Sequence, residues 1–350
     1  MTARAAIPAL ILALLALAGA TWANPGVADH AALRRELRGL VLEGGVAVAV
    51  NGQPTFVYRP GRYVPASIIK LATAQVALYE LGPDFRFRTE LYVGTDHALY
   101  IRGLGDPFLV SEEWRRLVAA MEKAGLLALP LERLVLDDSA FDSDLRVDGV
   151  EYTLNPYDAR PGALVTNFNT VNLFVRRGGV VESAEAQTPL TPLGREMAKR
   201  LRPRRGEQRV NLSRNPANAT RYSGEIALAI LREHGAKLPG GFSVGRVPAG
   251  LKPALEYESS QTLRDVVAGM LEYSNNFIAN QVLLQLALRH GGPPARLETG
   301  VERLRAFLSG QLGLDPGHFD LVEGSGISRL VQVDLLGPMA RLDQLVRNMH

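Results

Sequence analysis

Ser67 and Lys70 stand three residues apart in "PASIIKLATAQVAL" (residues 65–78), a stretch otherwise dominated by apolar and small side chains. On a helix, positions i and i+3 share a face, so the two side chains would project together. An ammonium ion in such a setting is costly unless it has a partner or a task. Burial lowers the pKa of a lysine and lets the neutral amine accept a proton. That is what an unactivated serine hydroxyl needs to become a nucleophile. Ser67 falls at the expected helix start, where free backbone N–H groups favour developing negative charge. Ser274 and Asn276 form a second polar pair, in the break "YSNN" (residues 273–276) between two helical patterns. A hydroxyl there can relay a proton between the lysine and a leaving group, and the amide can hold a substrate carbonyl. The same residues also serve as ordinary punctuation of a helix–helix turn.

Other chemistries find less support. The chain has no cysteine, which removes thiol catalysis, thiolate zinc sites and iron–sulfur clusters. Its six histidines show neither H-x-H nor H-E-x-x-H spacing, so neither a metal nor another cofactor is expected. "GFSVG" (residues 241–245) matches G-x-S-x-G, but a nucleophile elbow needs a helix after it, and Pro248 and Pro253 follow instead. A net charge of +3 gives no reason to expect a nucleic-acid partner. The basic run at residues 199–209 reads as a solvated loop, or as a contact with an anionic polymer or lipid headgroup.

The elements that must position these residues follow from periodicity. Residues 31–42 have helical spacing, and "VAVAV" and "PTFVY" flank Asn51-Gly52 as a hairpin. The helix carrying Lys70 should stop near Gly82-Pro83. Between residues 89 and 247 short strand-like runs recur around one helical stretch at 112–124, which predicts a mainly β insert between helix-rich parts. A helix over 223–234 should stop at Gly235. Thr262 and Asp265 make a capping-box variant ahead of an apolar face of Leu263, Val266, Val267, Met270 and Leu271. The first 23 residues, with Arg4 ahead of an apolar run and small residues at Ala20 and Ala23, read as a signal peptide. A periplasmic protein with at most peripheral membrane association is therefore expected; an uncleaved N-terminal anchor is the alternative.

S-x-x-K followed by S-x-N is the pairing of penicillin-binding proteins and class A β-lactamases, with K-T-G as third member. From about residue 31 onward the sequence resembles the class C penicillin-binding proteins, the D-alanyl-D-alanine carboxypeptidase/endopeptidase family. The phrases that carry the resemblance, in order, are "PASIIK", "LGDPFL", "VLDDSAF", "YDARPGALVTNFNTVNL", "YSNNFIANQ" and "EGSGISR". It implies an α/β (α+β) serine DD-peptidase/β-lactamase-like transpeptidase fold, a helical cluster packed on an antiparallel sheet. Residues 24–88 and 248–350 would form the peptidase domain, and residues 89–247 a β-rich inserted domain. The resemblance also implies Ser67 as the acylated nucleophile, Lys70 as its base, Ser274 and Asn276 as the second element, and Arg329 as a basic residue near the cleft. Peptidoglycan stem peptides ending in D-Ala-D-Ala would be the substrate and β-lactams covalent inhibitors, with no cofactor. A wall-binding protein without turnover, and a β-lactamase-like esterase on the same scaffold, are the alternatives. One departure stands out: no K-T-G or K-S-G occurs, and "ETG" (residues 298–300) lacks the cation. The chain is accordingly expected to stop tens of residues short of a complete domain and to be catalytically impaired.

Overall fold

The computed structural model describes residues 30–50, 53–201 and 205–336. Helix α1 (His30–Leu40) leads into an antiparallel pair, β1 (Val46–Val50) and β2 (Gln53–Tyr58). The expected hairpin is present, while its Asn51-Gly52 turn and the leader both lie outside the described residues. After β3 (Arg62–Tyr63), a short 3₁₀ turn, Ala66–Ile68, runs directly into α2 (Ile69–Leu81).

Helix α2 is buried on nearly every side from Ile69 to Ala77, as expected of a helix that is apolar all round. One of its faces, with Ile69, Ala72 and Val76, packs on Leu283, Leu284, Leu304 and Phe307. The other, with Ala74 and Ala77, packs on Val266, Met270, Phe277 and Ile278. These partners belong to α6 (Leu263–Glu272), α7 (Asn276–Gly291) and α8 (Leu297–Gly310), for which the intervening helices are named below. Thr262 caps the first of these through the reciprocal box that the sequence predicts. Gly300, the last residue of "ETG", lies inside α8, where a Cβ would fall 2.4 Å from the Leu283 carbonyl oxygen. Its role is close helix packing.

The region of residues 86–262 is mixed α/β, richer in helix than expected. Its larger sheet has the order β10-β6-β5-β4-β11. The strands are β4 (Arg86–Val93), β5 (Ala98–Gly103), β6 (Arg133–Asp137), β10 (Phe242–Val244) and β11 (Leu255–Thr262). β4 pairs antiparallel with β5 and β11, whereas β5–β6 and β6–β10 are parallel. The smaller sheet, β8-β7-β9, joins β7 (Thr170–Val175), β8 (Val181–Ser183) and β9 (Gly206–Asn211). Helices α3 (Ser111–Lys123), α4 (Pro192–Leu201) and α5 (Ala217–Glu233) pack on these strands around Trp114, Leu117, Leu134, Met197, Ile226 and Ile230.

Two readings of this region change. The strand β11 hydrogen-bonds to β4, so the larger sheet takes its edge strand from beyond residue 247. The polar alternation of "LEYESSQT", with Glu256 and Glu258 facing Arg88, suits an exposed edge strand. The basic run at 199–209 is split between the end of α4 and the start of β9, with residues 202–204 outside the description. Pro192 at the first helical position was the start signal for α4. "GFSVG" lies along β10 and no helix follows it, so it is not a nucleophile elbow. Near α2, β12 (Phe319–Asp320), β13 (Gln332–Asp334) and β3 complete a small antiparallel sheet. No described helix is long and apolar enough to cross a membrane.

Candidate active site

Three segments meet at the start of α2. The first is the 3₁₀ turn with Ser67, set by Ala66 in the left-handed region at φ 47°. It leaves Ser67 exposed and turns Lys70 inward, only 1% exposed. The second is the α6–α7 junction. Ser274 takes a positive φ of 50° there, and Asn275 caps α7 by accepting from the Ile278 N–H at 3.1 Å. Of the two adjacent asparagines one is thus a cap, and Asn276, on the first turn, faces the lysine. The third is the loop at residues 323–328.

Lys70 Nζ donates to Ser67 Oγ at 3.0 Å, to Asn276 Oδ1 at 2.7 Å and to the Ser325 carbonyl oxygen at 2.7 Å. An ammonium has three N–H groups, and all three are used. Two of the acceptors, the carbonyl of Ser325 and the amide oxygen of Asn276, cannot donate. When the amine loses its proton, its two remaining N–H groups stay with them and its lone pair faces the Ser67 hydroxyl. Burial pushes the Lys70 pKa down from 10.5 to about 8, and the negative charge of Glu323 partly opposes that shift. The arrangement therefore holds a base of moderate strength against an exposed hydroxyl.

Ser274 Oγ lies 2.9 Å from Ser67 Oγ. Its contact is with Ser67; among the described residues it makes no direct bond to Lys70. Asn276 Nδ2 reaches the Tyr157 carbonyl at 3.5 Å, which directs its oxygen to the lysine. Arg329 is exposed on the chain after Ser328 and makes no hydrogen bond or ion pair among the described residues. No group of acidic or histidine side chains suited to a metal occurs among the described residues. Sequence reasoning singled out Ser67, Lys70, Ser274 and Asn276, and the structure brings these four together. It overlooked the Ser325 carbonyl, which no side-chain pattern reveals, and Glu323 behind it. The only available signal was an acidic residue directly ahead of Gly-Ser-Gly.

The family description for D-Ala-D-Ala carboxypeptidase 3 (S13) matches residues 27–194 and 202–349. The chain belongs to the S13 family. It is 27% identical, over 395 aligned residues, to the D-alanyl-D-alanine carboxypeptidase of Actinomadura sp. (strain R39), covering 95% of this chain and 72% of that protein. It is 25% identical over 308 residues to the D-alanyl-D-alanine carboxypeptidase DacB of Haemophilus influenzae, covering 75% of this chain and 62% of that protein. The S13 chain thus spans 72% and 62% of the lengths of these curated relatives. Among solved structures, penicillin binding protein 4 (dacB) from Haemophilus influenzae matches with a TM-score of 0.69 at 21% identity, covering 91% of this chain and 80% of that one. The same protein complexed with a β-lactam matches at 0.60 and 20% identity, covering 92% and 78%. The S13 chain has the serine DD-peptidase fold of these structures.

Proposed function

We propose that this S13 chain is a serine-type D-alanyl-D-alanine peptidase that acts on peptidoglycan stem peptides through an acyl-enzyme on Ser67. The observation that carries this reading is the Lys70 amine, buried, lowered in basicity and aimed by two acceptor-only partners at the Ser67 hydroxyl. Ser67 Oγ attacks the carbonyl carbon of the penultimate D-Ala as its proton passes to Lys70. Ser274 then gives its proton to the departing nitrogen and takes one from the Lys70 ammonium, whose bond to the Ser67 O–H has been released. The C–N bond breaks, D-alanine leaves, and water hydrolyses the ester. In a cross-linked substrate the departing amine belongs to the neighbouring stem peptide, and the same steps make an endopeptidase.

Benzylpenicillin should add its mass once per chain, and peptide mapping should place the adduct on Ser67. An adduct on Ser274 or Ser243 would overturn the assignment. Release of D-alanine from a pentapeptide, compared with cleavage of a cross-linked dimer and of a simple ester, ranks the three hydrolase activities. Penicillin labelling with no turnover of any of them would favour the wall-binding alternative. We also propose export, supported by Arg4, the apolar run behind it and the small residues that follow. The mature protein should be found in the periplasmic fraction with a new N-terminus near residue 21 or 24; recovery of the intact chain in the cytoplasm would refute this.

A further inference from the structure

Glu323 is completely buried, 0% exposed, two residues before the carbonyl that Lys70 touches. Its Oε2 accepts from the Ser325 N–H and hydroxyl, each at 2.6 Å, and from Asn280 Nδ2 at 3.3 Å. Its Oε1 accepts from the Gly326 N–H at 2.6 Å and the Ser328 N–H at 3.4 Å. Every partner is a donor, which suits the ionised carboxylate. The loop is therefore wound around this side chain, its N–H groups turned in and the Ser325 carbonyl left for the lysine. Two more bonds fix the loop to the helices: Thr73 Oγ1 donates to the Gly324 carbonyl at 2.7 Å, and the Gly324 N–H donates to Asn280 Oδ1 at 3.0 Å. A buried carboxylate is expensive without an opposite charge.

We propose that Glu323 is a positioning residue for Lys70: it holds the Ser325 carbonyl against the amine and is the buried counter-charge to its ammonium form. The inference rests on the reading of Ser67 as the acylated nucleophile. The other charged and titratable groups around the site have partners or lie apart. Asp148 accepts from the Ser328 hydroxyl, and Asp158 from the Glu151 N–H and the Thr153 hydroxyl. Arg160 stacks over Tyr152, while Tyr157, Tyr273 and Arg329 are exposed. From helix α7 the lysine bonds to Asn276, while the Asn280 amide is engaged with Glu323 and the Gly324 N–H. Among the described residues the charge of Glu323 acts on Lys70, and its direction is to raise the pKa.

Removing that charge should let Lys70 lose its proton at lower pH. The test is the second-order rate of Ser67 acylation by a fluorescent penicillin, followed from pH 5 to 10 in parent, Glu323→Gln and Glu323→Asp proteins. The parent rate should rise with pH through about 8, where Lys70 becomes neutral. In Glu323→Gln the midpoint should move to lower pH. Its plateau should also fall about 10- to 10²-fold, because the amide NH₂ cannot accept from the loop and the Ser325 carbonyl shifts. Glu323→Asp should keep the parent midpoint, since the charge remains, with a lowered plateau. An unshifted midpoint in a folded Glu323→Gln protein overturns the proposal. If that variant shows no cooperative thermal transition, Glu323→Asp decides: a parent-like plateau or a moved midpoint overturns the proposal, and a lowered plateau at the parent midpoint supports it. Failure of the parent itself to acylate would instead count against the peptidase reading.

Discussion

Replacing Lys70 with alanine is expected to slow penicillin acylation of Ser67 by about 10³-fold while leaving a cooperative thermal transition. The magnitude is that of a lost general base, typically about 10²–10⁴. Asn276 cannot take over, because its oxygen is a far weaker base than an amine and its amide is tied to the Tyr157 carbonyl. The expected survival of the fold comes from two opposing effects. A pKa lowered from 10.5 to about 8 corresponds to about 3 kcal/mol of cost for burying the ammonium below pH 8, and the variant is relieved of it. Against that, Asn276 Oδ1 and the Ser325 carbonyl lose a donor, each at about 1–3 kcal/mol unless water enters the vacated space. Ser67 is exposed, so water can enter. The sign of the pH dependence gives a second reading. The folded-state pKa lies below the unfolded one, so between about pH 8 and 10.5 the unfolded chain holds the extra proton and the parent gains stability as pH rises. That gain should be missing from the alanine variant. Acylation near the parent rate would show that Lys70 is not the base, and loss of the cooperative transition would show that the lysine is structural.

Much of the arrangement was legible because it follows from local rules. The spacing of Ser67 and Lys70 translates directly into a shared helix face, and "YSNN" was readable as a helix junction because Thr262 and Asn275 announce the helices on either side. What escaped was set by tertiary contact. Helix α2 has no polar face, and its lysine is tolerated because Ser67, Asn276 and the Ser325 carbonyl, all outside that helix, accept its three N–H groups. The strand β11 has no apolar alternation to announce it, and only its pairing with β4 reveals it. Only the last three residues of helix α4 fall in the run judged by its charge; Leu193 and Met197, which mark its buried side, precede that run. The third wall of the site is made of main chain. A carbonyl has no sequence signature, so the Ser325 oxygen could be found only from the fold, and Glu323 only from the Ser325 N–H it holds.

Gly326→Ala is expected to damage the site as severely from the opposite side. Gly326 has φ 76°, and a Cβ placed on it would fall 1.9 Å from the Ala66 carbonyl oxygen and 2.4 Å from the Ala66 carbonyl carbon. No rotamer change relieves this, because the obstacle is backbone. Ala66 already occupies the left-handed region, and its next residue is Ser67, the proposed nucleophile. The loop could withdraw only by breaking the 2.6 Å bond from the Gly326 N–H to Glu323 and pulling the Ser325 carbonyl off Lys70. The left-handed conformation costs a non-glycine residue about 1–2 kcal/mol, and forced overpacking a further 1–3 kcal/mol. A loss of about 2–5 kcal/mol should lower Tm by roughly 3–7 °C in a chain of this size. Acylation should fall by about 10² or more even in the protein that remains folded, since displacing a reacting group by about 1 Å has that effect. Gly269→Ala is the control. Gly269 lies within α6 with nothing within 4 Å of its would-be Cβ and no positive φ, so that change should leave acylation as it is and raise stability by up to about 1 kcal/mol. Calorimetry and penicillin labelling on both variants make the comparison. If Gly326→Ala matched Gly269→Ala in both readouts, the 323–328 loop would have to be free to move away from Ala66, and the close fit between that loop and the nucleophile turn would not be what holds Ser67 against Lys70.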